Sequence, residues 1–216
     1  MAFSPRAKEL LEQGERDTAF TDEREVRAWF DAKALVHPDL VVRAQVALGG
    51  YSYRFDQGGT FRLGMTVNGD VWDHDPSWEI PNTPLRVLIA DHAGDASLYY
   101  LDVEGRVWRD ELWVYTSIDK MIEDHAMSYA LLAKRPFFMI RMRVKQGIEV
   151  MMKEYGLARV PEASDERISW WEGKGVTVNI HPFGLEEVET WGVRIAGKKQ
   201  EDVAKLRDRL KGMVVS

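Results

Sequence analysis

Histidine and aspartate side chains are the residues of this chain best suited to bind a metal or move a proton. The chain has five histidines, and no two of them stand four residues apart on a predicted helix, as a His-Glu-x-x-His zinc motif requires. The densest group joins His74 and Asp75 with a predicted loop that carries Asp91, His92 and Asp95. Such loops can gather metal ligands, but aspartates in loops are also ordinary turn formers. We therefore predict no metal site.

Other catalytic signatures are missing from the sequence. The chain has no cysteine, which excludes thiolate nucleophiles, cysteine metal sites and disulfides. It also has no Gly-x-Ser-x-Gly, no phosphate-binding loop and no Gly-x-Gly-x-x-Gly, so serine hydrolase, phosphate-loop and dinucleotide chemistry have no sequence support. We predict a protein that is not an enzyme and has no cofactor. A metal-dependent hydrolase that uses Asp91, His92 and His74 is an alternative.

Tryptophans and acidic residues cluster in the middle of the chain. This combination is common at protein interfaces, because the ring supplies buried area and the carboxylates orient a basic partner. Trp72 and Trp108 lie in predicted strands, where they would be core residues. The predicted partner-binding residues are therefore Asp73, Asp75, Trp78, Asp110, Glu111 and Trp113.

The charge of the chain is unevenly distributed. The whole chain has a net charge of −6. Residues 1–135 hold 15 basic and 23 acidic residues, a net charge of −8, so the acidic excess lies in this part of the chain. A field of that sign repels nucleic acid and attracts basic proteins, so we expect a basic protein partner and no nucleic acid. The alternative is that the acidic excess only aids solubility.

The apolar segments are too short to span a membrane. No stretch reaches the roughly 20 apolar residues that a membrane helix needs, and the start of the chain lacks a signal-peptide pattern. We expect a cytoplasmic protein without membrane contact.

Helical patterns begin and end the first part of the chain. Ser4-Pro5 predicts the start of a short helix that ends at Gln13. Asp22 and Glu25 fit a capping box before a second helix. A third helix is predicted to begin at His37-Pro38-Asp39 and to end at Gly49-Gly50, and a fourth follows the N-cap Ser117 and ends near Pro136.

Strand patterns lie between these helices. Tyr51 to Phe55 and Phe61 to Val67 alternate apolar and polar residues, and Asn68-Gly69 is a hairpin signal before Val71-Trp72. Three more strands are predicted: an apolar run from Leu85 to Ala90, Ser97 to Asp102, and Arg106 to Arg109. The sequence thus predicts an α+β domain over residues 1–135, with helices packed on an antiparallel sheet of about five to six strands.

Residues 136–216 predict a small accessory α+β unit. A helix is predicted from Phe137 to Tyr155, followed by a linker from Val160 to Ser164. Three short strands are predicted at Ile168–Trp171, Val176–Ile180 and Trp191–Ile195, and a last helix at Gln200–Lys211. Two residue pairs, Met151-Met152 and Trp170-Trp171, fit either an adaptable interaction surface or the core.

Five segments between residues 36 and 132 carry a family pattern: Val36 to Leu40 running to Leu48-Gly49-Gly50, Leu88 to Ala96, Leu98 to Asp102, Gly105 to Trp108, and Ser117 to Ala130. These segments resemble the SUKH superfamily, which contains bacterial immunity proteins against toxins and fungal regulators of cell-wall synthesis. The resemblance implies a protein that binds and neutralises a cognate toxin, and the acidic charge favours a basic toxin. An intracellular regulatory scaffold, as in the fungal relatives, is the alternative that it leaves open.

Overall fold

The computed structural model describes residues 2–32, 39–56, 58–64, 86–94, 96–132, 137–142, 145–183 and 190–211. The chain forms two compact units, Met1–Ala126 and Met127–Ser216. The predicted domain boundary between residues 135 and 136 falls outside the described residues and stays a prediction.

The described helices of the first unit begin where the sequence predicts. They are α1 (Pro5–Gln13), α2 (Glu23–Ala32), α3 (Asp39–Leu48) and α4 (Ile118–Leu132), the last of which continues into the second unit. The Ser4 Oγ accepts a hydrogen bond from the backbone N–H of Ala7 at 3.2 Å, and the Ser117 Oγ accepts one from Lys120 at 3.2 Å. Both serines therefore satisfy backbone donors that a helix start leaves without partners.

The first unit contains a seven-stranded antiparallel meander. Its strands are β1 (Glu15–Arg16), β2 (Tyr51–Tyr53), β3 (Phe61–Leu63), β4 (Arg86–His92), β5 (Ser97–Asp102), β6 (Val107–Arg109) and β7 (Leu112–Tyr115). Each strand pairs with the next in the sequence, which confirms the predicted α+β architecture. Two short strands, β1 and β7, were not predicted. The predicted hairpin at Asn68-Gly69 and its partner strand lie outside the described residues.

Two glycines allow the end of α3 to approach the sheet closely. The buried Gln45 donates from Nε2 to the backbone carbonyl of Phe20 at 2.8 Å. A Cβ on Gly49 would lie 2.1 Å from Gln45 Nε2, and a Cβ on Gly64 would lie 2.0 Å from Gln45 Oε1. Gly64 also has a φ of +66°, a conformation that glycine adopts at least cost. These contacts fix α3 against the strands that carry the first core.

After the end of α4, the described part of the second unit combines two helices with a five-stranded antiparallel sheet. Its elements are β8 (Phe137–Met142), α5 (Lys145–Glu154), β9 (Ala158–Arg159), β10 (Ser169–Gly173), β11 (Val176–Phe183), β12 (Thr190–Gly197) and α6 (Gln200–Lys211). The strand order is β8-β12-β11-β10-β9. The core joins residues of α5 and α6, among them Met152 and Leu206, to strand residues such as Trp171, Val178 and Val193.

The prediction of one helix from Phe137 to Tyr155 is wrong in its first half. Residues Phe137–Met142 form β8, which pairs with β12, and the helix begins only at Lys145. Phe138 and Ile140 pack against the core, whereas Met139 between them is exposed. This two-residue period belongs to a strand with one buried face.

The helix that follows, α5, ends at a glycine in the left-handed conformation. Gly156 has a φ of +81° and donates to the carbonyl of Lys153 at 2.9 Å, while Leu157 donates to that of Met152 at 3.0 Å. These two bonds form a Schellman motif, which satisfies carbonyls at the end of a helix.

Val160 to Ser164 is a packed loop within the second unit, so the prediction of a linker is wrong. The backbone N–H of Val160 donates to the carbonyl of Trp170 at 2.8 Å, and the Ser164 Oγ accepts from the N–H of Trp170 at 2.9 Å. Val160, Ala163 and Ser164 are buried. Of the two readings of Met151-Met152 and Trp170-Trp171, the core reading is the one the structure supports, since all four side chains are buried.

Candidate functional site

Three of the six predicted partner-binding residues lie together on one hairpin. Asp110 and Glu111 form the turn between β6 and β7, and Trp113 lies on β7. The other three, Asp73, Asp75 and Trp78, are outside the described residues. The hairpin is at one edge of the first sheet, with β1 at the opposite edge.

The turn of this hairpin exposes both carboxylates. Asp110 has a φ of +51°, which aspartate tolerates better than most residues. Its backbone N–H donates to the carbonyl of Leu98 at 2.9 Å, and its Oδ1 accepts from the N–H of Leu98 at 3.3 Å. Asp110 and Glu111 remain exposed. The tip is thus anchored to β5 while its charges face solvent.

Two tryptophans pair across the strands of the hairpin. Trp108 lies opposite Trp113 in the antiparallel register, with ring centroids 6.5 Å apart. The guanidinium of Arg86 lies 3.5 Å from the Trp108 ring centroid, and that of Arg106 lies 5.8 Å from Trp108 and 5.6 Å from Trp113. Cations at these distances are attracted to the ring faces. Trp108 was expected in the core, but it is only half-buried within this stack.

A buried carboxylate holds the stack in place. Asp102 is fully buried and accepts hydrogen bonds from Trp108 Nε1 at 2.9 Å and from Arg106 Nε at 2.7 Å. It also accepts from the backbone N–H groups of Glu104 and Arg106, each at 2.9 Å. Burial alone would raise the pKa of Asp102, but the bonds from Trp108 and Arg106 outweigh it and hold that pKa below its usual range.

Trp113 is fixed by its own hydrogen bond. Its Nε1 donates to the backbone carbonyl of Tyr115 at 2.8 Å, and its side chain is half-buried. A ring that is oriented before binding loses little conformational freedom when a partner covers it. Trp113 therefore has the properties of an interface anchor.

The alternative metal site was expected in a loop, but Asp91 and His92 lie on β4. Adjacent strand residues point to opposite faces of a sheet. Asp91 pairs with Arg62, whose Nε donates to Oδ1 at 2.8 Å, while His92 is buried with its Nε2 3.3 Å from Asp56 Oδ1. Within the described ranges no group of three histidines or acidic residues could hold a metal ion; His74, Asp75 and Asp95 are outside them.

The sequence did not reveal a buried polar cluster around His125 on α4. His125 is fully buried, and its Nδ1 lies 2.9 Å from the hydroxyl of Tyr53. Nearby, the Tyr115 hydroxyl donates to Asp124 Oδ2 at 3.0 Å. Burial, and then the nearby His92, lower the pKa of His125 well below its usual value. The only sequence signal was the place of His125 on the apolar face of a predicted helix, which gives burial but not partners.

Comparison of the chain with protein-family models, with curated proteins and with solved structures finds no match. The resemblance to the SUKH superfamily therefore stays a prediction. Among the described helices, none has the length and apolar character needed to cross a bilayer.

Proposed function

We propose that this chain is a non-enzymatic protein-binding module that uses the β6–β7 hairpin to bind a basic protein partner. The observation that carries the proposal is the combination of exposed carboxylates at Asp110 and Glu111 with a half-buried, oriented Trp113 on the same hairpin. Aromatic anchors beside charged residues are typical of binding hot spots. With the SUKH resemblance, the role we propose is that of an immunity-type protein that neutralises a basic toxin.

The local charges of the hairpin are arranged in layers. Arg86 of β4 and Arg106 contact the tryptophan rings, and Asp102 of β5 bonds to Arg106, so these charges already have partners beside the hairpin. Asp110 and Glu111 are exposed at the tip. An approaching protein therefore meets the two carboxylates first, which favours a partner with a complementary basic patch.

The charge of the whole first unit acts in the same direction. Residues 1–126 hold 13 basic and 23 acidic residues, a net charge of −10. A field of this sign accelerates the approach of a basic partner and repels nucleic acid. Salt screens this attraction, because the screening length falls to a few ångströms at high ionic strength.

Affinity capture from the native host with three baits tests the proposal. The baits are the unmodified chain, the hairpin variant Asp110→Asn/Glu111→Gln, and the control variant Glu12→Gln/Glu15→Gln. The control makes the same charge change at exposed residues of the first unit, and Glu15 lies on β1 at the opposite edge of the sheet. We expect a basic protein to be retained by the unmodified chain and the control and lost from the hairpin variant. Equal retention by all three baits would contradict the proposed surface.

Association and dissociation rates of the captured protein distinguish the contact made by Trp113 from the long-range attraction by Asp110 and Glu111. Raising the ionic strength and the hairpin variant should both lower the association rate, whereas Trp113→Ala should mainly raise the dissociation rate. Trp29→Ala removes another half-buried tryptophan of the first unit and serves as the control. An association rate that is indifferent to salt and to the amide replacements would show that the acidic tip is only a solvated surface. Several unrelated partners that bind away from the hairpin would instead support a regulatory scaffold.

A further inference from the structure

The imidazole of His125 is fully buried in a cage of aromatic rings. We call these rings the His125 cage: Tyr53 of β2, Phe55, Phe61 of β3, Tyr99 of β5 and Tyr115 of β7. Phe55 stacks on the imidazole with a centroid distance of 3.8 Å and an interplanar angle of 7°. Phe61 contacts it edge-on at 4.5 Å. The cage thus joins α4 to four strands of the first sheet.

The cage offers the imidazole one hydrogen-bonding partner. Nδ1 is 2.9 Å from the Tyr53 hydroxyl, and Nε2 has no hydrogen-bond partner in the described part of the chain. A neutral imidazole with one unsatisfied nitrogen is tolerated at moderate cost, but a buried cation without a bonded carboxylate is far more costly.

The surrounding titratable groups do not compensate a charge on His125. Asp124, its neighbour on α4, accepts the hydroxyl of Tyr115. Tyr53, Tyr99 and Tyr115 are neutral phenols near neutral pH. On β4, His92 faces the same aromatic rings, and its Nε2 lies 3.3 Å from Oδ1 of Asp56 in the segment after β2. Positive charge on His92 opposes positive charge on His125.

We propose that the His125 cage is an acid-sensitive lock of the first unit: protonation of His125 requires the cage to open, so mild acid loosens the first sheet and the start of α4 while the second unit stays folded. The proposal does not depend on the identity of the binding partner. It concerns a conformational change that the purified chain undergoes alone.

The direction of the effect follows from linkage. The folded state holds the pKa of His125 well below its usual value, through burial and the charge of His92. The unfolded or opened state binds the proton near the ordinary histidine pKa of about 6.5. The contribution of His125 to stability is therefore complete above about pH 6.5 and is lost as the pH falls below it, by up to about tenfold in the opening equilibrium for each pH unit.

Hydrogen exchange read by mass spectrometry on the full chain tests the proposal, with rates corrected for the intrinsic effect of pH. Between about pH 6.5 and 5.5, we expect opening of the first unit, followed at β4 and at residues 118–126 of α4, to increase about fivefold. Protection of β11 and β12 in the second unit should not change and serves as an internal control.

Two variants separate His125 from the other histidines. His125→Phe fills the cage with an apolar ring and should abolish the acid response, even though the Tyr53 hydroxyl loses its partner and the variant is less stable overall. His181→Gln, a half-buried histidine of the second unit, should keep the full response. An unchanged acid response in His125→Phe, or no response in the unmodified chain, would overturn the proposal.

A direct titration keeps the test open if His125→Phe does not fold. The side-chain nitrogen signals of His125 in the unmodified chain should stay those of a neutral imidazole down to about pH 5.5 in the folded state. Titration of the folded imidazole near its ordinary pKa, with protection of the first unit retained, would refute the lock.

Discussion

The two units differ in the kind of polar side chain that they bury. Six of the buried polar side chains described in the first unit are acidic or basic, whereas none of the buried polar side chains described in the second unit is. The first set is Arg86, His92, Asp102, Glu123, Asp124 and His125, and the second is Ser128, Ser164, Ser169, Thr177 and Asn179. Buried charges stabilise a fold only when they are paired and hydrogen-bonded. We therefore expect the stability of the first unit to depend on pH more than that of the second.

The two units also differ in net charge. Residues 1–126 carry −10, whereas residues 127–216, with 16 basic and 12 acidic residues, carry +4. Net charge governs association with charged partners rather than the fold. This difference supports the first unit as the part that would attract a basic partner in the proposed function.

The largest loss of stability is expected when apolar volume is removed from the core of the second unit. Trp171 is almost fully buried in its core, and Trp171→Ala should lower the free energy of unfolding by about 3 to 5 kcal/mol through the cavity it leaves. The loss should be the same at neutral and mildly acidic pH. Chemical denaturation at both pH values measures it, with the exposed Val150→Ala as a control that changes stability little. A strong pH dependence of the loss would contradict the contrast between the units.

A smaller loss of stability is expected from removing the buried carboxylate of Asp102. Asp102→Ala leaves Trp108 Nε1 and Arg106 Nε without their acceptor, which should cost about 2 to 3 kcal/mol. Glu104→Ala, which removes the exposed partner of Arg106, should cost less than about 1 kcal/mol. Chemical denaturation compares the two variants. Equal losses would show that burial of the carboxylate contributes nothing.

Alkaline pH should also affect the stability of the two units differently. Burial raises the pKa values of Tyr53 and Tyr115 well above their usual range, and the charge of Asp124 adds to both. A raised pKa gives stability that is present below about pH 10 and is lost as the pH rises above it, by up to about 1.4 kcal/mol per pH unit for each group. Phenolate absorbance followed together with circular dichroism should show these two groups ionising only as the first unit unfolds.

Tyr115→Phe sharpens this alkaline test. The variant loses one titrating group, so its stability should fall less steeply above about pH 10 than that of the unmodified chain. Tyr155→Phe, in the second unit, is the matched control. An unchanged slope in Tyr115→Phe would mean that this phenol ionises freely in the folded state.

The smallest effect concerns the attachment of α1 to α4. The Ser4 backbone N–H donates to Glu123 Oε1 at 2.7 Å and its hydroxyl to Oε2 at 2.6 Å. Ser4→Ala removes the hydroxyl and the helix cap together and should cost about 1 to 2 kcal/mol, against about 1 kcal/mol for the cap alone in Ser117→Ala. Thermal denaturation ranks the two. A smaller loss for Ser4→Ala would show that its hydroxyl contributes nothing through Glu123.

The sequence predicted an element correctly where its residue pattern fits only one kind of secondary structure. Capping at Ser4 and Asp22 and the apolar run before His92 led to α1, α2 and β4. It failed at β8, because Phe137, Ile140 and Val144 fit the helical period, whereas Phe138, Met139 and Ile140 are all apolar and show no strand alternation in the sequence.

The candidate site was predicted only in part, because its geometry depends on register. Trp108 and Trp113 meet because a two-residue turn joins β6 and β7, and Asp110-Glu111 is not a strong turn signal. The hydrogen bonds of Asp102 and the cage around His125 join residues from several strands, and no local pattern specifies them. A sequence predicts which residues are buried more readily than which residues they contact.

The position of His125 on the last element of the first unit has a consequence for synthesis on the ribosome. The rings of its cage come from residues 53 to 115, and they leave the exit tunnel before the histidine that fills the space between them. Domains generally fold as units during synthesis, the N-terminal domain first. The first unit can therefore complete its core only after α4 has emerged, and until then the rings of the cage are apolar surface available to a chaperone.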